Sequence, residues 1–452
     1  MQVMIFNNLN FIMIFLPAFI LSYFLASKYY KNHILLIYGI LYYVFGNIDN
    51  KVYIFIFFIL IIINYILYYL IYNENNSSLK RIKLFVSIIF NVLIISIFKT
   101  GLIFNGIPNG LSFYTFHFIA FLVDAYKNES NFRINFTKFM QYIIFFPKLL
   151  SGPITRFESF NEQYESKTVS FDNFINGIYF FSVGLALKCL LSDNIYYIIN
   201  QINVYGYESI SIFTAWLGVY SFTMNLYFDF AGYSLMAIGI AKMIGIKLPE
   251  NFNLPFCSKS VSEFWRRWHI TLGQFFRDYI YIPLGGNCNN KNILRQTINI
   301  IIVWIVTGLW HGFKLNYMIW AMSICFVIIM EKILLNKLYL NNIFIGKVLV
   351  IIFLPLTFLV FSIENISMLK IYITKLFYIN SIENIRDFTS IINSYWKIFV
   401  IGIVFLTSFP RYLFIKISKY KFLMIIISII LLVLSCIMIN INNTDTFKYF
   451  TF

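Results

Sequence analysis

Apolar residues run along this chain in long, uninterrupted stretches that short polar segments separate. The clearest stretches, residues 53–72 and 422–441, reach the roughly 20 residues that an α-helix needs to cross a bilayer. Counted together, the stretches predict roughly 11 to 13 membrane helices, some too short to span alone. Irregular backbone at membrane depth needs protein or a water-filled cavity around it, so the short stretches indicate a cavity. We expect an all-α polytopic membrane protein that forms one domain over residues 1–452.

Composition and charge support a membrane location. Hydrophobic residues make up 60% of the 452 residues and charged ones only 12%, whereas soluble domains carry about 25% charged residues. The net charge is +16, but the basic residues lie in short loops, where the positive-inside bias and anionic lipids explain them. We therefore expect the lipid bilayer, and not nucleic acid, as the partner of this charge. The five cysteines lie far apart, so no metal site is predicted.

Polar residues that could take part in chemistry concentrate between residues 247 and 287. This segment contains Arg266, Arg267, His269, Arg277 and Asp278 among many aromatic residues. Ionisable side chains at membrane depth are costly and usually functional. The alternative is an interfacial helix whose tryptophans lie at headgroup depth and whose arginines contact lipid phosphates. The residues alone leave both interpretations open.

Histidine is the side chain best suited to general base catalysis near neutral pH, and the chain has four. We expect His33 at the surface and His117 packed or hydrogen-bonded within a helix. His311 ends an apolar stretch, between Trp310 and a glycine that would permit a break in the helix. From these residues alone, a catalytic and a structural role for His311 are equally open.

One acid, Asp229, lies inside an otherwise apolar run. It could relay protons, bind a cation or accept hydrogen bonds from neighbouring hydroxyl groups. We expect the last of these, with Tyr233 and Ser234 as the donors.

Several ordered motifs resemble the membrane-bound O-acyltransferase family. They are YFDFAGYS at 227–234, EFWRRWHITLG at 263–273, IPLGGN at 282–287, VTGLWHG at 306–312 and, earlier in the chain, FFPKLLSGPITRF at 145–157. The resemblance covers nearly the whole chain, with residues 227–312 as its core. The bacterial branch that O-acetylates exported polysaccharides is the most similar, and the branch that D-alanylates teichoic acid shares FDFAGYS and SGPITRF. The chain departs from the acetylating branch at Ala321, Ile324 and Ser362, where glycine, histidine and arginine are usual.

The resemblance implies a ring of helices around a thinned centre, with a tunnel from a cytoplasmic donor to an extracytoplasmic acceptor. It implies that His311 is the near-invariant family histidine and that His269 is a second catalytic residue. Substrate-binding residues are then expected at Arg266, Arg267, Arg277, Asp278, Trp310 and Asp229. Arginine suits the phosphates of a donor such as acetyl-CoA, which is a substrate, so no cofactor is expected.

The expected reaction is transfer of an acyl group, namely acetyl, to hydroxyl groups of an exported cell-surface polysaccharide. The acceptor could instead be an extracytoplasmic partner enzyme, such as an SGNH-type acetyltransferase. The expected location is the cytoplasmic membrane, which the chain crosses several times. Two alternatives stay open: D-alanyl transfer to teichoic acid, and non-catalytic transport of an acyl carrier. A transporter should show paired broken helices in two related halves, which the sequence does not display.

Overall fold

The computed structural model describes residues 4–101, 106–127, 133–286, 293–332, 343–378 and 385–442. Within these ranges the chain is almost entirely helical and contains no strand, only an isolated antiparallel bridge between Phe252 and Trp268. The predicted all-α fold is therefore confirmed. Asn287, the last residue of the IPLGGN motif, lies outside the described residues.

The first eleven helices run from the N-terminal region to the middle of the chain. They are α1 (Leu16–Leu25), α2 (Lys31–Gly46), α3 (Lys51–Tyr72), α4 (Ser77–Thr100), α5 (Leu111–Lys127), α6 (Phe136–Ile144), α7 (Phe146–Leu149), α8 (Phe157–Ser166), α9 (Phe171–Ala186), α10 (Asp193–Tyr205) and α11 (Ile212–Met243). π-helical turns at Phe11–Phe15 and Leu187–Ser192 precede α1 and join α9 to α10.

The remaining helices include two short ones that frame the candidate site. They are α12 (Val261–Arg267), α13 (Ile270–Phe276), α14 (Ile293–His311), α15 (Leu315–Met330), α16 (Ile343–Val348), α17 (Leu354–Ser362), α18 (Ile366–Lys375), α19 (Arg386–Leu406), α20 (Phe409–Ile417) and α21 (Lys421–Asn442). A 3₁₀ turn at Pro255–Cys257 precedes α12, and π-helical turns at Arg277–Tyr281 and Leu349–Phe353 follow α13 and α16.

Seven helical segments in the described part are long and apolar enough to cross a membrane. They are Lys51–Tyr72, Ser77–Thr100, Phe171–Tyr205, Ile293–His311, Ile343–Ser362, Arg386–Leu406 and Lys421–Ile441. Two shorter apolar helices cover Phe11–Leu25 and Leu315–Met330. The protein is thus a multi-pass membrane protein, as predicted. The figure of 11 to 13 membrane helices also counted broken and half-inserted segments and stays a prediction.

The chain divides into two compact units, and the single domain expected over residues 1–452 stays a prediction. The first unit combines Met1–Leu185, Tyr233–Glu250 and Met424–Thr451. Inside it, α9 and the end of α11 meet at two glycines: a Cβ on Gly239 would lie 2.6 Å from the carbonyl oxygen of Gly177. Small residues of this kind let membrane helices approach closely without a hydrophobic driving force between them.

The second unit combines Ala186–Gly232 with Asn251–Leu423. Inside it, α14 packs closely on α15, because a Cβ on Gly308 would lie 3.1 Å from the Cβ of Ala321. This contact fixes the end of α14, where Trp310 and His311 lie. Every residue that the sequence predicted as a site residue belongs to this second unit.

Candidate active site

His269 lies at the junction of α12 and α13 in a left-handed backbone conformation, with φ 44° and ψ 54°. Leu254 is the other non-glycine residue with positive φ in the part of the chain that the structure describes. Such a conformation costs on the order of 1 to 3 kcal/mol and persists where the surroundings impose it. The surroundings of His269 are therefore informative.

Hydrogen bonds on both sides of this histidine hold its backbone. The amide of Asn253 donates to the carbonyl of Arg267 (3.0 Å), and the amide of Ile270 donates to the carbonyl of Asn251 (2.9 Å). The hydroxyl of Thr271 donates to Oδ1 of Asn251 (2.7 Å). The segment 251–253 thus clamps the α12–α13 junction from outside the two helices. Because seven-residue helices are not stable alone, this clamp decides where the imidazole lies.

The His269 side chain is only 3% exposed and is surrounded by aromatic rings. Its ring centroid lies 4.6 Å from that of Phe230 and 6.5 Å from that of Trp310. Burial lowers the pKa of His269 well below its ordinary value, at a position outside the seven candidate spans. The imidazole is therefore neutral near pH 7, the state that can accept a proton or donate a hydrogen bond.

His311 is the last residue of α14 and is 8% exposed. Its ring centroid lies 4.3 Å from that of Trp310, 5.0 Å from that of Trp320 and 4.9 Å from that of Phe361. The Trp310 side chain therefore neighbours both imidazoles. Two histidines that are well separated in sequence, one before α13 and one at the end of α14, thus both have Trp310 as a neighbour.

The three arginines differ in their surroundings. Arg266 is exposed, whereas Arg267 forms an ion pair with Glu263 at 2.6 Å. The Arg277 side chain is mostly exposed, and its Nε donates to Oδ1 of the buried Asp278 (2.8 Å). Arg266 and Arg277 thus present guanidinium groups at the surface, while the charges of Arg267 and Arg277 are each partly balanced by a neighbouring carboxylate.

Asp229 has a partner that the sequence analysis did not foresee. Its carboxylate lies 2.7 Å from the amine of Lys188, which also lies 2.8 Å from Asp193. The Lys188 and Asp229 side chains are 2% and 1% exposed. The expected hydrogen bond from Ser234 is wrong, since the Ser234 hydroxyl has no hydrogen-bond partner among the described residues. The sequence could have indicated this ion pair, because Lys188 lies within an apolar stretch and charges inside a membrane usually pair.

A second buried lysine without a predicted role is Lys148, which lies in the motif segment 145–157 of the first unit. Its fully buried amine donates to the hydroxyl of Thr155 (2.9 Å) and lies 3.5 Å from the ring centroid of Tyr142. The amide of Thr155 donates in turn to Nε2 of His117 (3.3 Å). His117 is therefore a packed and hydrogen-bonded histidine, as expected, and His33 is exposed as expected.

Comparisons with known proteins identify relatives of this chain. A sequence model of the MBOAT, membrane-bound O-acyltransferase family matches residues 56–372. A probable alginate O-acetylase AlgI of Pseudomonas fluorescens is 31% identical over 337 residues, which cover 70% of this chain and 64% of the relative. A peptidoglycan O-acetyltransferase of Helicobacter pylori is 32% identical over 371 residues (71% and 69%). A teichoic acid D-alanyltransferase of Bacillus subtilis is 30% identical over 223 residues (47% and 56%).

Proposed function

This chain belongs to the membrane-bound O-acyltransferase family, and from that premise we propose that it transfers an acetyl group from acetyl-CoA to an exported acceptor. The acceptor is a hydroxyl group of a cell-surface polysaccharide, or a partner acetyltransferase outside the cytoplasm. The alginate O-acetylase and peptidoglycan O-acetyltransferase relatives support acetyl as the transferred group. The donor enters from the cytoplasm, so the protein works in the cytoplasmic membrane.

The observation that supports this proposal most directly is that two buried histidines both neighbour Trp310. In the proposed reaction, His311 takes the proton of the acceptor hydroxyl as the oxygen attacks the thioester carbonyl. The carbon–sulfur bond then breaks, and the departing thiolate takes the proton from His311 to leave as the free thiol. His269 would polarise the carbonyl or shuttle a proton. General base catalysis contributes about 10² to 10⁴ in rate, and confinement of the two substrates contributes much of the rest.

The proposal assigns binding of the donor to the polar residues near His269. Arg266 and Arg277 have exposed guanidinium groups that suit the phosphates of coenzyme A, and Arg267 would add to them. Asp278 would orient Arg277, to which it is bound. Trp310 would form an apolar wall beside the acyl group, and Asp229 would support the site through Lys188.

A substitution at His311 tests the proposed function. We expect that His311→Ala abolishes acetyl transfer while the protein inserts and expresses normally, because it removes the proposed base. The measurement is release of free thiol from acetyl-CoA by purified protein in detergent, together with acetyl content of the polysaccharides in cells. The matched control, His33→Ala, changes an exposed histidine and should leave both unchanged. Retention of even a tenth of wild-type transfer in His311→Ala would contradict its role as the base.

The teichoic acid relative favours D-alanyl transfer as a second candidate. The donor distinguishes the two reactions: acetyl-CoA supports the first, whereas a D-alanyl thioester of a carrier protein supports the second. If the purified protein binds an acyl thioester but neither hydrolyses it nor takes up its acyl label, that result would indicate a transporter.

A further inference from the structure

A carboxylate from another helix holds the first turn of α12. Glu331, at the end of α15, is 8% exposed. Its Oε1 accepts a hydrogen bond from the amide of Val261 (2.7 Å), and its Oε2 accepts from the amide (2.8 Å) and hydroxyl (2.6 Å) of Ser262. These two amides belong to the first turn, where a helix has no internal acceptors for its N–H groups. Glu331 therefore replaces the acceptors that α12 lacks.

The charge of this glutamate matches its position. A negative side chain at a helix N-terminus is stabilised by the helix dipole, and hydrogen bonds to a carboxylate are about twice as strong as neutral ones. The amide of Glu263, also in the first turn of α12, donates to the hydroxyl oxygen of Ser260 (3.0 Å). The start of α12 is thus held by a local cap and by one residue that is 70 positions away in sequence.

The other end of α12 leads directly into the candidate site. The amide of Trp268 closes the last turn by donating to the carbonyl of Phe264 (2.8 Å), and His269 follows in its left-handed conformation. A helix of seven residues is about 10 Å long, so a shift of its first turn displaces the histidine at its end. Hydrogen bonds therefore hold α12 at both ends: those from Glu331 at Val261 and Ser262, and those of segment 251–253 around His269.

We propose that Glu331 is a positioning residue for the acyl-transfer reaction, which through α12 holds the imidazole of His269 against Phe230 and Trp310. The proposal rests on the proposed function for the role of His269. Glu331 itself contacts the backbone and hydroxyl of α12, so it acts through that helix and not on the substrate.

The test uses Glu331→Gln, which keeps the size of the side chain and loses its charge. Its NH₂ group would face an amide donor, so one hydrogen bond becomes a repulsion. We expect the rate at saturating acetyl-CoA to fall about tenfold, with the half-saturating concentration unchanged within a factor of two. We also expect faster amide deuterium exchange in residues 259–270. The charge-conserving Glu331→Asp should retain more activity than Glu331→Gln, and it carries the test if the Gln variant does not fold.

Asp387 offers a matched control in the same unit. It is also 8% exposed, and its carboxylate accepts a hydrogen bond from the amide of Ser211 (2.7 Å), directly before α11. Asp387→Asn therefore removes the same kind of charge from the start of a different helix. We expect it to keep the wild-type rate and the wild-type exchange of residues 259–270.

Three results would overturn the proposal: a Glu331→Gln rate within twofold of wild type, an equal loss of rate in Asp387→Asn, or unchanged exchange in residues 259–270. A wild-type protein that transfers no acetyl would instead contradict the proposed function. The exchange measurement would then still decide whether Glu331 holds α12, so the two failures are distinguishable.

Discussion

At the scale of single residues, His269 combines two features that lower stability. Its backbone is left-handed and its polar ring is buried among aromatic side chains. A strained conformation of this kind costs on the order of 1 to 3 kcal/mol, and such conformations cluster at active sites and ligand clamps. Glycine would adopt this backbone conformation without strain. A histidine here, despite its cost, therefore indicates that the imidazole is needed. The observation favours a chemical role for His269 over a packing role.

His269→Gln separates these roles, because glutamine keeps the approximate size and one hydrogen bond but cannot act as an acid or base. We expect the rate at saturating acetyl-CoA to fall by about 10² or more, the lower end of what a general acid or base contributes. The measurement is the initial rate of acetyl transfer as a function of acetyl-CoA concentration. A variant that keeps most of its rate would indicate packing alone, and a rise in half-saturation alone would indicate donor binding.

At the scale of secondary structure, the short helices α12 and α13 depend on their neighbours. Helices of this length are marginal in water even with favourable sequences. The backbone segment before α12 is packed against α16: a Cβ on Gly346 would overlap the carbonyl oxygen of Lys259 and approach Ser260. Close packing of α16 is therefore a further contact that holds the segment before α12 in place.

Gly346→Ala tests this dependence. Because the overlapping atom belongs to the backbone, we expect the segment before α12 to shift, with a loss of about 1 to 3 kcal/mol in stability, as for other overpacked sites. The transfer rate should fall with it. In the control Gly402→Ala, the nearest atom is the flexible Met224 Sδ, which can move aside. Thermal unfolding midpoints in detergent compare the two variants, and equal midpoints would contradict the expected role of Gly346.

At the scale of the whole molecule, six of the seven candidate spans in the described residues bury less than half of their most apolar window. The α21 helix carries exposed isoleucine and valine side chains along its length, and α19 carries them in its C-terminal part, which a lipid environment accommodates and water does not. The basic residues then set the orientation through the positive-inside bias. We expect the polar interval of residues 247–295 to face the cytoplasmic half of the membrane.

Cys257 reports on this orientation, because it is an exposed free thiol within that interval. In a variant with the other four cysteines replaced by serine, we expect a membrane-impermeant thiol reagent to label inside-out vesicles and not right-side-out ones. Adding Cys257→Ser should remove the signal. The reverse labelling pattern would place the interval on the outer side and contradict a cytoplasmic donor entrance. Cys288, also in this interval, lies outside the described residues.

The sequence by itself determined the helical membrane fold, because long apolar stretches and scarce charge are local properties that only a bilayer satisfies. Motif resemblance likewise singled out His269 and His311 without reference to their neighbours. Only the tertiary structure decided which groups meet: Lys188 with Asp229, and Glu331 with the start of α12. These pairs join residues that are distant in sequence and lie on different elements, so their contact depends on how helices pack and not on any local pattern.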